Sequence, residues 1–173
     1  MRLKTFPPGF QIRPTLDILF RMTALLRHWK SLNDLPGSSN ALMVRTDFEH
    51  EAEWQAFLES IENPGPEEDT DYRAALEVVQ DPKLDKLESG PLMGALPAQY
   101  QHSFLFVVDR RTLEDVEHPV LIIDLINDKG RTFRLVPAQI HSIEANLSLS
   151  NMDFFEFADN ADADGVFRGF PES

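Results

Sequence analysis

Apolar positions along the chain form two patterns, stripes at helical spacing and short unbroken runs, and their alternation predicts the elements. Near the start, Ile18, Met22, Leu25, Trp29 and Leu32 recur every three or four residues, with Leu19 and Leu26 beside them. One amphipathic helix is therefore expected between Pro14-Thr15 and the breaker Pro36-Gly37-Ser38-Ser39. Ala41 to Arg45 reads as a buried strand. Thr46 or Asp47 is placed to cap a helix over about Glu49 to Glu62, with Trp54, Phe57, Leu58 and Ile61 on its inner face. Asn63-Pro64-Gly65-Pro66 stops it. Residues 72–79 suit either state: Val78-Val79 favours a strand, Arg73 to Glu77 a helix. Pro82 to Leu87 reads as a helical turn, and Gly90 to Pro97 as a loop with a short helix.

Ser103 to Asp109 and Pro119 to Ile126 are almost continuously apolar, as strands covered on both faces are. Asn127-Asp128-Lys129-Gly130 is a tight-turn signal, and Arg131 to Val136 alternates like a return strand. Pro137 suits the first turn of a helix that puts Ile140, Ile143 or Glu144, and Leu147 on one face. Ser150 is expected to cap a last helix, with Asp153 completing a capping box and Met152, Phe155 and Ala158 facing inward. Phe154 and Phe157 add bulk that can meet Phe167 and Phe170. The expected fold is α/β (α+β): a mixed sheet of four to five strands covered by helices, with an extra N-terminal helix.

Composition sharpens this picture. The chain has 173 residues, 42% apolar and 26% charged, which suits one folded domain with or without an appendage. Acids outnumber bases 29 to 16, a net charge of −13. That field opposes nucleic-acid binding and favours a basic protein partner or cations. The charge is uneven: residues 1–40 hold six bases and two acids, a net of +4, and the remainder holds ten and 27, a net of −17. The expected division is a basic extension over residues 1–35 and an acidic α/β domain over 36–173. The basic helix can lie on an anionic membrane, fill a partner's groove or pack on the acidic domain; an overlong start, with translation beginning at Met22 or Met43, is another reading. Asp17 and the scarcity of Ser oppose an organellar targeting peptide. Charges interrupt the apolar run too often for a secretory signal or a transmembrane segment. The absence of cysteine excludes disulfides, thiol nucleophiles and Cys-based metal sites.

Five segments carry a resemblance: Val44-Arg-Thr-Asp-Phe48, His118-Pro-Val-Leu-Ile-Ile-Asp124, Gly130-Arg-Thr-Phe-Arg134, Asn146 to Phe154 and Asp162 to Phe170. Over about residues 41–171 the chain resembles a family of small acidic proteins, common in soil actinobacteria and met in other microbes, catalogued as a domain of unknown function. Residues 1–35 depart from that family's usual start. The resemblance implies a bacterial-type cytoplasmic domain and supplies no catalytic residues.

Chemistry must come from the residues themselves. Asn160-Ala-Asp162-Ala-Asp164-Gly165 has the alternating oxygens and sharp-turn glycine of a calcium loop. Pro171 stands where the bidentate glutamate belongs, so calcium binding there is expected to be weak, and an Asp-rich turn is the simpler reading. Asp47, Asp109 and Asp124 each sit at or near a strand end, where carboxylates could hold magnesium or work as an acid/base pair, or simply cap the chain. The five histidines show no zinc spacing, and no Gly-x-Ser-x-Gly elbow or glycine-rich phosphate loop exists. Arg45 with Asp47 and Arg168 with Asp164 are candidate ion pairs.

The leading expectation is a noncatalytic protein-binding module, immunity- or regulator-like, that meets a basic protein through Glu67, Glu68, Asp69 and Asp71 and through the tail from Asp153 to Asp164. The alternatives are a divalent-metal-dependent hydrolase or phosphotransfer enzyme built on Asp47, Asp109 and Asp124, and a weak calcium-binding regulator built on Asn160, Asp162 and Asp164.

Overall fold

The computed structural model describes residues 35–62 and 73–171. The expected N-terminal helix and the acidic stretch from Glu67 to Asp71 lie outside the described residues. Six strands form one mixed sheet: β1 (Ala41–Arg45), β2 (Leu76–Val79), β3 (Phe104–Val108), β4 (Val120–Asp124), β5 (Thr132–Leu135) and β6 (Val166–Phe167). Among the described residues five helices accompany it: α1 (Glu51–Glu62), α2 (Ser89–Ala95), α3 (Arg110–Glu114), α4 (Ile140–Ser148) and α5 (Phe154–Ala158). The strand order is β2-β1-β3-β4-β5-β6. β1 runs parallel to both β2 and β3, β4 is antiparallel to β3 and β5, and β6 is parallel to β5.

The mixed α/β class is as expected, but the sheet exceeds the expected four to five strands. Residues 76–79 resolve as a strand because they pair in register with β1; that tertiary pairing overrides the helical propensity upstream. β6 has just two residues and no local signal long enough to read. The last helix also departs from expectation. Ser150 has φ +55°, a left-handed conformation that ends α4 and is unlike the extended backbone of an N-cap. The cap of α5 is Asp153, whose backbone N–H donates to the Glu156 carboxylate at 2.7 Å. The three-residue shift turns Phe154 and Phe157 inward and leaves Phe155 exposed.

The unbroken apolar strands are covered on both sides. Every residue of β1 and of β3 is buried. On one face Met43, Phe106, Val108, Ile122 and Leu135 pack with Trp54 and Phe57 of α1, Ile140 and Ile143 of α4 and Phe157 of α5. Leu42, Val44, Leu105 and Val107 alternate to the opposite face, where Leu84, Leu92 and Ala95 are also buried.

Tyr100 joins the two central strands where their ladder has not yet begun. Its hydroxyl accepts the Leu42 N–H at 3.0 Å and donates to the Phe104 carbonyl at 3.1 Å. Burial pushes the phenol up to about 12, against a smaller opposing effect of the Leu42 amide, so it stays neutral. Tyr100→Phe strands one donor and one acceptor, and is expected to lower the unfolding free energy by about 1–3 kcal/mol in urea denaturation.

A cavity at the crossover of the sheet, and the carboxylates around it

The chain leaves β1 toward β2 on one side and later returns to lay β3 on the other, so the connections diverge above the C-terminal ends of β1 and β3. Such divergence leaves a crevice in open α/β sheets. Here it is an open cavity of about 650 Å³. Thr46 and Asp47 enter it from the end of β1, Asp109 and Arg110 from the end of β3, and Lys86 from the loop after β2. Leu87, Leu92, Val107 and Leu121 form its apolar wall.

Asp47 is 2% exposed. Its Oδ1 accepts the backbone N–H groups of Glu49 and His50 at 3.0 and 3.1 Å and lies 2.8 Å from His50 Nδ1. The turn that leads into α1 is thus closed by this side chain. Burial raises the Asp47 carboxyl, but the His50 ring and the two amides outweigh it and hold it below the ordinary range. The same contact raises His50, whose Nε2 is also 3.3 Å from Glu114 Oε1.

Asp109 is the N-cap of α3. Its Oδ1 accepts the N–H and hydroxyl of Thr112, while Arg134 grips both carboxylate oxygens through NH1 and NH2 at 3.0 and 2.5 Å. Burial pushes Asp109 up, and the Arg134 bonds and charge more than offset it, so the carboxyl lies low.

Asp124 sits at the other end of the sheet. In register it faces Phe104, five residues before Asp109, a strand distance of about 16 Å. Its oxygens accept the backbone N–H groups of Ile126, Asn127 and Asp128 and close the hairpin turn. Gly130, at φ +92°, completes that turn. The structure therefore brings Asp47 and Asp109 to one cavity and leaves Asp124 apart.

The Asp-rich tail is a turn closed by Gly165 at φ +79°, whose N–H donates to Asp162 O at 2.8 Å. Val166 N–H donates to Asp164 Oδ1 at 3.1 Å, and Asn160 Nδ2 donates to Glu156 O at 2.8 Å. The cation between these carboxylates is Arg168: NH1 donates to Asp162 at 2.7 Å, NH2 to Asp164 at 2.8 Å, and Nε and NH2 to Glu117 at 2.9 and 2.6 Å. That grip holds Asp164 down at about 2. Among the described residues no three His, Asp or Glu side chains form a group that could hold a metal ion.

Arg45 pairs differently from the expectation: Nε donates to the Asp47 backbone carbonyl at 2.6 Å and NH1 to Glu51 at 2.8 Å. The sequence reading also missed Lys86, Arg110, Arg134 and Glu49 as neighbours of the strand ends. Asp109-Arg-Arg-Thr112, a capping residue followed three places on by a hydroxyl, was the signal for α3. Lys86 and Arg134 reach the site from elements distant in sequence and had no local signal.

The fold and cavity define a mixed α/β domain with an open crossover cleft, and no helix among the described residues is long and apolar enough to cross a membrane. The chain belongs to the family described as domain of unknown function DUF6924, whose profile matches residues 40–170. No curated protein matches the chain.

Two outcomes follow from this geometry. In an NMR titration His50 should ionise above the ordinary histidine range, and Asp47→Asn should return it toward that range. Its linked stabilisation is full below about pH 6.5 and is lost as pH rises through the raised folded value. In a calorimetric calcium titration the native chain should show no saturable heat at the tail, whereas Arg168→Ala, which frees Glu117, Asp162 and Asp164, should gain binding with Kd of order millimolar.

Proposed function

We propose that this domain works by noncatalytic binding of a protein partner with a basic surface, as an immunity- or regulator-like module of the cytoplasm. The observation that carries the reading is the internal commitment of the strand-end carboxylates. Asp47 and Asp124 are held by backbone amides, and Asp109 by Arg134. Groups tied this way serve architecture, and the net charge of −13 remains as the recognition feature. A divalent-metal-dependent hydrolase or phosphotransfer enzyme has less support, since Asp124 is remote from the other two aspartates. A calcium regulator has less support because Arg168 fills the tail.

Within the acidic surface, Asp159 is paired with Arg131, and Asp162 and Asp164 with Arg168. The weight of recognition therefore falls on Glu67, Glu68, Asp69 and Asp71. Charge complementarity acts chiefly on the rate of encounter. Replacing these four residues with Ser should slow association with the partner recovered by affinity capture by about tenfold at low salt, with dissociation little changed. Association rates equal to those of the unaltered chain, in stopped-flow mixing, would count against the reading.

A further inference from the structure

The two outer strands of the sheet end their ladders differently. β6 pairs with β5 through Gly165 O and Phe167 O, so the backbone of Val166 between them faces outward. The chain closes that rim itself: Val166 O accepts the Asp162 N–H at 2.9 Å, and Val166 N–H donates to Asp164 Oδ1 at 3.1 Å. At β2 the phase is fixed in the same way. Ala75 O accepts the Ala41 N–H at 2.9 Å, and the parallel register from Ala41↔Leu76 to Val44↔Val79 turns the backbone of Ala75, Glu77 and Val79 toward β1. Leu76 and Val78 therefore face away from the sheet. The Leu76 N–H is taken up by Ala74 O at 3.1 Å, but Leu76 O and both backbone groups of Val78 have no partner among the described residues.

The side chains leave this rim unguarded. Border strands are commonly protected by proline or lysine. Neither falls between Ala74 and Gln80. Val78 shares the face of its neighbour Met43, the face that α1 covers, and is 37% exposed. Glu77 points to the opposite face, half-buried, and makes no ion pair among the described residues. A second copy of this chain is a poor occupant. Residues 41–173 hold ten bases and 27 acids, a net of −17, so two such domains repel. In the antiparallel register that uses both open residues, Leu76 against Val78, the two Glu77 side chains would also face each other across the two-fold axis.

We propose that β2 is a docking border for an extended, basic segment of the partner, which adds a strand to the sheet. The rim sets the chemistry of that segment. Its backbone N–H and C=O groups meet those of Leu76 and Val78. Apolar residues lie beside these two side chains, and a lysine or arginine between them lies beside Glu77. The inference rests on the protein-partner reading and gives the partner's basic surface a form.

Hydrogen exchange on the full chain is the first test. The Val78 N–H should exchange at least about 100-fold faster than the Val79 N–H, which is bonded to β1. The docking probe is a short capped peptide of alternating lysine and valine. It should bind saturably by about 1 mM and slow Val78 exchange about tenfold at saturation. The same peptide N-methylated at its valines cannot form the ladder, and a peptide with glutamate for lysine carries the wrong charge; each should bind about tenfold more weakly or not at all. Val78→Pro deletes the outward N–H and spares the bonds to β1, so it should keep the fold, checked by circular dichroism, and weaken peptide binding about tenfold. Glu77→Lys keeps the strand and should shift the preference toward the glutamate peptide. Five results would overturn the inference: Val78 protected as well as Val79 in the free chain, Val78 protection that grows with protein concentration, no saturable peptide binding at about 1 mM, N-methylated peptide binding equally well, or folded Val78→Pro binding like the unaltered chain. None of these measurements alters Glu67, Glu68, Asp69 or Asp71, so failure here leaves the partner reading to its own test.

Discussion

Burial of β1 and β3 on both faces governs the rest of this molecule. Strands with no wet face can carry polar side chains only where they end, and each such group must find partners inside the protein or at its rim. That is the pattern observed. Arg45, Thr46 and Asp47 follow one strand out of the core, Asp109 follows the other, and Asp124 leaves at the opposite end of the neighbour. Their side chains then shape the next stretch of backbone: Asp47 turns the chain toward α1, Asp109 starts α3, and Asp124 closes the hairpin. The same arrangement that makes these aspartates resemble an active site in sequence makes them builders of corners in the fold.

Arg45 shows how far this logic extends. It is 2% exposed at the last position of β1, with its guanidinium carbon 4.5 Å from the Phe48 ring centre and 5.0 Å from that of Trp54. Cation–π contact with two rings, one carbonyl and one carboxylate compensates three sides of the group. NH2 is buried without a hydrogen-bond partner. The charge fastens the end of β1 to the first turn of α1, so the orientation of the helix that covers the core is set at the rim of the crossover cavity.

Much of this was legible in the sequence for a physical reason. Long apolar runs such as Phe104 to Val108 identify strands wherever they pair, because burial on both faces leaves one kind of residue tolerable. Local turn chemistry was equally readable at Asn127 to Gly130. Pairings set by distant chain segments were not. β2 needed β1 beside it to be a strand, β6 needed β5, and the phase of α5 depended on a left-handed Ser150 that nothing nearby announces. The cavity failed to show for the same reason: Lys86, Arg110 and Asp47 are separated by 24 residues or more in the chain and meet only through the crossover.

The two borders of the sheet are unequal. At one, β6 is two residues long, and Arg168 beside it is tied across to Glu117, between α3 and β4. At the other, β2 pairs only with β1 among the described residues, and Val78 is 37% exposed. An exposed strand border presents unpaired backbone groups, and a very short border strand presents few of them. The ionic fastening of the tail thus holds in place a border strand too short to offer a second chain a ladder of any length.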